Sequence, residues 1–255
     1  VKPWDELSEN EQALACRLQE AFAAFLDHTD AQIGRFVEGL RAMGEMENTI
    51  FVVLADNGAS QEGGPLGVLH EMKYFNGLTE SPDDAVGRLD EIGGPRSHTN
   101  YPWGWAQCGN APFNWYKQNT HEGGVHVPMV VHWPAGIDAA QRGTQRRQFV
   151  NVSDIVPTLY DLLGITPPEV FGGREQLPVT GHSFAALLGD PDAPATNRLQ
   201  YFEMAGSRAL VAELDGRWWK AVTRHQKGVS FDDDVWELYD LDADPSECDD
   251  LAAAE

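Results

Sequence analysis

The sequence has few cysteines and no long apolar run. Its three cysteines, Cys16, Cys108 and Cys248, lie far apart without a CxxC spacing, so the pattern predicts neither a zinc site nor a disulfide framework. No apolar run approaches the roughly 20 residues of a membrane-spanning helix, so we expect no membrane span. No basic region followed by an apolar stretch opens the chain, so no signal peptide is visible. The compartment of a soluble protein, cytoplasm or periplasm, stays open.

Basic residues are also scarce. Only 18 Lys and Arg oppose 40 Asp and Glu, and the formal net charge is −22. Such a surface repels phosphate backbones, which argues against nucleic acid as a partner. It does not exclude a small anionic substrate, because a metal ion and nearby lysines can reverse the field inside a pocket. The 42% hydrophobic content excludes a disordered chain and is sufficient for one large or two smaller domains.

The first long element is predicted to be a helix over residues 9–43. Ser8 and Glu11 have the spacing of a capping box, and apolar residues then recur at helical intervals as far as Gly44. Polar residues around 28–30 interrupt the apolar pattern, so a break is expected there.

An α/β fold follows from the next segments. The continuous apolar run at 49–55 predicts a strand covered on both faces, as in a parallel sheet packed between helices. We therefore predict a mostly parallel sheet sandwiched by helices, with a further strand over 126–133 and a helix over 152–163. Residues 58–116, rich in Gly, Pro, Asn and Trp, predict a long excursion dominated by loops. A short helix is expected over 182–188.

The C-terminal part has a different pattern. Short strand candidates at 209–213, 218–222 and 236–239 are separated by turn residues, which predicts a small antiparallel sheet. We expect residues 1–198 to form the α/β core and residues 199–255 to form this smaller subdomain.

Two segments could carry chemistry. Asp56 and Asn57 follow the predicted buried strand, and ligand sites of open α/β sheets gather at the carboxyl ends of strands. Their oxygens suit a hard cation such as Ca²⁺ or Mg²⁺, although Asp-Asn-Gly is also typical of an ordinary turn. Lys117 precedes the pair Gly123-Gly124 and could present its ammonium to an anionic group. A solvated surface lysine is the alternative.

Other metal motifs are excluded by spacing. His121 and His126 are five residues apart, whereas zincins place two histidines four apart on one helical face. The alternating aspartates of residues 240–244 resemble the start of an EF-hand loop. Pro245 stands where that loop needs glycine, and Leu251 stands where it needs glutamate.

Taken in order, five segments resemble the sulfatase family of the alkaline-phosphatase-like superfamily, and this likeness runs through nearly the whole chain. The strongest segment reads YKQNTHEGGVHVP. The five segments are residues 27–35, 48–58, 116–128, 154–159 and 237–247.

The resemblance implies a role for four residues. Position by position, Asp56 and Asn57 match metal ligands, with calcium or magnesium as the ion. Lys117 matches the catalytic lysine that contacts the sulfate group, and His121 stands at a variable position of the substrate pocket. The implied reaction is hydrolysis of a sulfate monoester, with aryl sulfates as the expected class, through a covalent sulfo-enzyme intermediate.

The sequence lacks two parts of the family's active site. Sulfatases use a formylglycine made from the cysteine or serine of a C/S-x-P-x-R motif, and no cysteine or serine of this chain has that context. The family's paired aspartates and its further lysine and histidines are absent too, because in relatives they precede the matched region. We therefore expect a C-terminal part that is inactive alone, with the oligomeric state open.

Two alternatives remain open at this point. A phosphodiesterase or phosphonate hydrolase of the same superfamily would have similar metal-binding strand ends, and only the nucleophile would distinguish it. A non-catalytic chain that binds a partner or an anion is the alternative from a different functional class.

Overall fold

The structure, a computed structural model, describes residues 1–252 of the chain. Its α-helices are α1 (Glu9–Met43), α2 (Glu71–Phe75), α3 (Pro82–Val86), α4 (Trp103–Asn110), α5 (Glu122–Val125), α6 (Ile155–Leu163) and α7 (Ala185–Gly189). Its strands are β1 (Phe51–Leu54), β2 (Met129–His132), β3 (Val170–Phe171), β4 (Arg174–Glu175), β5 (Leu199–Met204), β6 (Ser207–Leu214), β7 (Arg217–Thr223) and β8 (Trp236–Asp240). Short 3₁₀ turns lie at Trp4–Glu6, Met46–Asn48, Leu89–Glu91, Ala139–Gln141, Val152–Asp154 and Phe231–Asp233.

Helix α1 has the predicted bounds, and both its ends are capped as the sequence indicates. The Ser8 hydroxyl accepts a hydrogen bond from the Glu11 amide, and the Glu11 carboxylate accepts one from the Ser8 amide. Gly44 ends the helix with a φ of 74°, in the left-handed region. The predicted break near residues 28–30 is wrong. The Thr29 hydroxyl donates to the Phe25 carbonyl at 2.8 Å, so this polar side chain is satisfied within the helix.

The two halves of α1 have different environments. Leu14 and Leu18 in the first half are buried, whereas Phe36 and Met43 in the second half are more than half exposed. The core that the first half contacts consists of Leu14, Leu18, Leu69, Ala85, Ile92, Tyr101, Ala106 and Tyr116. In the part of the chain that the structure describes, no helix is both long enough and apolar enough to cross a membrane.

The long excursion packs onto the first half of α1. It contains the short helices α2, α3 and α4, which the prediction of a loop-dominated segment did not include. The indole of Trp105 donates to the Ala15 carbonyl at 3.0 Å, and that of Trp103 donates to the Gln61 carbonyl at 2.7 Å. Aromatic side chains thus connect the excursion to the helix and to the segment after β1.

The predicted parallel sheet is not confirmed. Strands β1 and β2 lie within the predicted segments 49–55 and 126–133, but they pair antiparallel with each other. Among residues 1–252, the only parallel pairing is an isolated bridge between His70 and His98. Coverage of β1 on both faces is also wrong for the described residues, because Val53 and Leu54 are over a third exposed. The apolar run therefore predicted a strand correctly, but not its partners.

The segment predicted as a helix over 152–163 is a 3₁₀ turn followed by α6, and Gly164 ends it in the left-handed conformation. Asp154 at the junction is buried, and its carboxylate accepts from the His182 amide at 2.8 Å. This bond attaches the segment before α7 to the start of α6. Helix α7 itself covers most of the predicted 182–188.

The C-terminal sheet has the order β5-β6-β7-β8, and every neighbouring pair is antiparallel. The three predicted strands are confirmed, whereas β5 was not predicted. Asp215 and Gly216 both have positive φ, the conformation of a tight hairpin turn between β6 and β7. The division into residues 1–198 and 199–255 stays a prediction, and residues 253–255 lie outside the described residues.

The capping box predicts a local stability effect. Ser8→Ala removes the hydroxyl that satisfies the Glu11 amide, so we expect a loss of about 1 kcal/mol of unfolding free energy. Ser8→Thr keeps a hydroxyl and serves as the control. Chemical denaturation of both variants measures the difference, and equal stabilities would show that the cap contributes nothing.

Candidate active site

The carboxyl end of β1 presents two oxygen-bearing side chains. Asp56 is exposed and Asn57 is half-buried. The side-chain nitrogen of Asn57 donates to the Gly58 carbonyl at 2.8 Å, and its side-chain oxygen is not used in that bond. Within residues 1–252, neither that oxygen nor the Asp56 carboxylate takes part in a hydrogen bond or ion pair. Both oxygens are therefore available to a ligand.

Gly58 joins this strand end to the segment around α5. Its amide donates to the Gly124 carbonyl at 3.1 Å. A Cβ at Gly58 would lie 1.7 Å from the Gly123 carbonyl oxygen, which is impossible without moving the backbone. The close approach therefore requires glycine at position 58.

Asn110 at the end of α4 reinforces the same junction. Its side-chain oxygen accepts from the Ala59 amide at 2.9 Å, and its side-chain nitrogen donates to the Gly123 carbonyl at 2.7 Å and to the Trp115 carbonyl at 2.9 Å. One amide side chain thus connects three backbone segments. Sequence reasoning missed Asn110, because nothing in its local pattern separates it from the other asparagines of the excursion.

Lys117 is fixed at both ends to the segment that follows β1. Its amide donates to the Ala59 carbonyl at 3.0 Å. Its ammonium lies 2.8 Å and 3.0 Å from the two carboxylate oxygens of Glu62. The structure thus places the predicted lysine beside the segment that begins with Asp56 and Asn57. The solvated surface lysine considered as the alternative does not describe it.

Glu62 is the second residue that sequence reasoning missed. Burial raises the pKa of its carboxyl, but hydrogen bonds from Lys117 and Ser60 outweigh burial and lower that pKa overall. The ionised carboxylate is therefore the favoured form beside Lys117. A Glu before two glycines in a loop carries no local signal of this contact.

His121 lies deeper than the substrate-pocket prediction suggested. Only 2% of its side chain is exposed, and its Nε2 lies 2.9 Å from a carboxylate oxygen of Glu237 on β8. The Tyr239 hydroxyl donates to that same oxygen at 2.9 Å. Burial lowers the pKa of His121 and outweighs the opposite effect of Glu237. In this arrangement His121 connects the lysine segment to the C-terminal sheet, and its pocket role stays a prediction.

A buried ion cluster makes the same connection a few residues later. The ammonium of Lys220 on β7 is fully buried, 2.8 Å from a Glu122 oxygen and 2.9 Å from a Glu247 oxygen. Glu247 also accepts a hydrogen bond from the Glu122 amide at 2.7 Å, and its own carbonyl accepts one from the Asn114 side chain. His126, whose side chain is about half exposed, borders the cluster, with its Nδ1 2.6 Å from the other Glu122 oxygen.

The two carboxyls of the cluster have opposite pKa shifts. Burial raises the pKa of Glu122, but the charge of Lys220 and bonds from His126 and Lys220 outweigh burial and lower it to about 2. Burial raises the pKa of Glu247 and outweighs the attraction of the same ammonium. The ionised form is therefore favoured at Glu122 and disfavoured at Glu247, although the same ammonium attracts both carboxylates.

A metal ion would find part of a site at the strand end. Carboxylate and amide oxygens, such as those of Asp56 and Asn57, are the donors that hard cations prefer. Within the described residues, no cluster of three or more His, Cys, Asp or Glu is arranged to hold a metal. The two side chains fit such an ion in chemical type, and further ligands would have to complete its coordination.

Comparison with known families identifies the chain. A family model described as Sulfatase matches residues 5–165, well over half of the sequence. The chain belongs to the sulfatase family. A second model, described as N-sulphoglucosamine sulphohydrolase, C-terminal, matches residues 112–255. The two matches overlap at residues 112–165, which contain Lys117 and the glycine pair. The resemblance inferred from the five segments is confirmed.

Individual sulfatases agree with this assignment. An uncharacterized sulfatase of Schizosaccharomyces pombe is 30% identical over 261 residues, which cover 99% of this chain and 43% of that protein. An arylsulfatase of Klebsiella aerogenes is 30% identical over 206 residues, or 80% of this chain and 41% of that enzyme. Arylsulfatase K of Homo sapiens is 29% identical over 137 residues, or 54% of this chain and 24% of that protein. The chain thus spans less than half the length of these sulfatases.

The buried cluster predicts a large effect at Lys220. Lys220→Met leaves the carboxylate of Glu122 buried without its main counter-charge, so we expect a loss of about 3–5 kcal/mol in unfolding free energy. Lys227→Met, at an exposed position, is the matched control and should change stability by less than about 0.5 kcal/mol. Denaturant unfolding measures both variants. A small effect at Lys220 would mean that the cluster does not hold the sheet in place.

The low pKa of Glu122 predicts an acid-dependent contribution to stability. Its folded pKa of about 2 lies below the ordinary 4.5, so this contribution is complete above 4.5 and is lost as pH falls towards 2. Glu247, with a raised pKa, acts in the opposite direction. Glu122→Gln should therefore flatten the decline of unfolding free energy between these pH values, and denaturant titrations at several pH values measure it. An unchanged slope would contradict the assignment.

Proposed function

We propose that the complete protein to which these residues belong hydrolyses sulfate monoesters, with aryl sulfates as the substrate class. The observation that carries the proposal is the attachment of Lys117 to the segment after β1. Its amide bonds to Ala59, three residues beyond Asp56, and its ammonium contacts Glu62. A cationic donor and two free oxygen ligands therefore belong to one hydrogen-bonded unit. Binding of an anion through a metal ion needs both oxygen ligands for the metal and a cationic donor for the anion.

Lys117 is the proposed sulfate contact. An ammonium can donate hydrogen bonds to sulfate oxygens and offset charge that develops on them and on the departing alkoxide. The chain as a whole has a net charge of −22, so a sulfate ester meets an unfavourable field outside the site. Local cations are therefore needed to bind it.

Asp56 and Asn57 are the proposed metal ligands, with Ca²⁺ or Mg²⁺ as the ion. Such an ion, when bound, supplies positive charge that polarises the sulfate group. The exposed Asp56 carboxylate and the Asn57 oxygen would hold it in part, and residues outside this chain would provide the remaining ligands. The proposed contribution of this chain is to orient those two oxygens through the Gly58 junction.

The proposed nucleophile, a formylglycine, also lies outside this chain, because none of these 255 residues belongs to a C/S-x-P-x-R motif. We therefore expect these residues alone to be inactive. A phosphodiesterase or phosphonate hydrolase would share the strand-end ligands, but no contact in the described residues favours a phosphorus ester over a sulfate ester.

Substitution of the proposed site residues tests the function. In the complete protein, Lys117→Ala or Asp56→Ala should each lower turnover of 4-nitrophenyl sulfate by at least about 10²-fold, the scale of losing one electrostatic stabiliser. Lys227→Ala, at an exposed position, is the control for loss of a positive charge. Circular dichroism and thermal unfolding of each variant separate a loss of chemistry from a loss of fold.

The substrate range tests the choice of ester. The same preparation is compared on 4-nitrophenyl sulfate, 4-nitrophenyl phosphate and bis(4-nitrophenyl) phosphate. Faster turnover of the sulfate supports a sulfatase. Preference for the phosphodiester, or near-normal rates in both site variants, would reject the proposal.

A further inference from the structure

We propose that Glu62 is the residue that positions Lys117 for its contact with the sulfate group. This inference rests on the proposed function, because it needs Lys117 to act on the substrate. The two oxygens of Glu62 lie 2.8 Å and 3.0 Å from the Lys117 ammonium. Both groups are largely shielded from water, with 12% of the Glu62 side chain and 30% of the Lys117 side chain exposed.

The Glu62 carboxylate is held by groups other than the lysine. The Ser60 hydroxyl donates to one of its oxygens at 2.7 Å, and the Asn100 side chain donates in turn to the Ser60 hydroxyl at 3.0 Å. These bonds hold the carboxylate independently of the lysine. Glu62 is thus a fixed acceptor to which the lysine is attached.

Lys117 is consequently attached at two points to one short stretch of chain. Its amide bonds to the Ala59 carbonyl and its ammonium to Glu62, while the same stretch starts with the proposed ligands Asp56 and Asn57. A lysine side chain has four flexible carbons, and ordering it costs rotamer entropy. When Glu62 holds the ammonium, that cost is met before the substrate binds.

The geometry leaves the ammonium able to bind substrate. A lysine ammonium has three N–H donors, and two carboxylate oxygens occupy at most two of them. The third remains for a sulfate oxygen. Because the pair as a whole is neutral, Glu62 reduces the long-range attraction of Lys117 for anions while it fixes the direction of the remaining donor. Its effect should therefore appear in kcat more than in KM.

Two other roles for Glu62 would give different results. A carboxylate that only competes with the sulfate for Lys117 would slow the enzyme, and its removal would raise turnover. A carboxylate that only stabilises the loop would affect activity equally with or without Lys117. Both possibilities are distinguishable from positioning by a double-mutant cycle.

The cycle is measured in the complete protein with 4-nitrophenyl sulfate. Glu62→Gln keeps the side-chain shape and removes the charge, and should lower kcat about tenfold with KM changed by less than about threefold. In a Lys117→Ala background the same substitution should change kcat by less than about twofold. Glu91→Gln, which removes a carboxylate paired with Arg88 on the excursion, is the matched control and should leave kcat unchanged.

A second variant addresses the support of the carboxylate. Ser60→Ala removes the hydroxyl that holds Glu62, and it should also lower kcat, by a smaller factor than Glu62→Gln.

Nitrogen-15 NMR of the Lys117 ammonium provides a readout without turnover. The signal should show slowed proton exchange in the unsubstituted protein and faster exchange in Glu62→Gln, because the ion pair is lost.

The outcomes separate this inference from the proposed function. Normal turnover in Lys117→Ala alone would reject the role of the lysine and, with it, any positioning role. If Lys117→Ala lowers turnover but Glu62→Gln has an equal effect with and without Lys117, only the inference about Glu62 is overturned. A rise in kcat on Glu62→Gln would also overturn it. The expected result is that Glu62→Gln lowers kcat when Lys117 is present and has little effect when it is absent.

Discussion

The buried ammonium of Lys220 is the interaction on which the arrangement of the candidate site depends. It lies on β7, fully buried, and its two carboxylate partners come from Glu122 beside the glycine pair and from Glu247 after the last strand. A charge that leaves water costs several kcal/mol unless its partners are placed correctly. The C-terminal sheet therefore has to dock where Glu122 lies, and the segment that carries Lys117 is held on that side by the sheet.

From this cluster, backbone contacts continue to the end of β1. The carbonyls of Gly123 and Gly124 meet Gly58 and the Asn110 side chain at hydrogen-bond distances, and a side chain on Gly58 would not fit. The backbone segments that carry the proposed metal ligands and the proposed sulfate contact are thus held together by close packing. Packing of this kind is stiffer than a contact between two long side chains, and a site that must hold a small anion benefits from that stiffness.

The chain's local signals predicted its local structure well. Helix α1, its capping box and its glycine stop depend on interactions between residues a few positions apart. They could therefore be derived from the amino-acid sequence alone. The run before Asp56 likewise predicted β1. The parallel pairing and full coverage of that strand were not found in the described residues, because an apolar run shows that a strand is suited to burial and does not show which strand pairs with it.

For the site, the residue types and the family resemblance were sufficient to select Asp56, Asn57 and Lys117 and to indicate a sulfatase, and the family matches confirm that membership. Sequence alone did not identify Glu62, Asn110 or Lys220. Each has a partner far away in the sequence, at separations of 55 for Lys117 and Glu62, 51 for Ala59 and Asn110, and 98 for Glu122 and Lys220. An isolated Glu, Asn or Lys has the same appearance in a sequence whether it is solvated or buried. Only the tertiary structure decides which of them loses its water, because that loss requires a partner brought close by the fold.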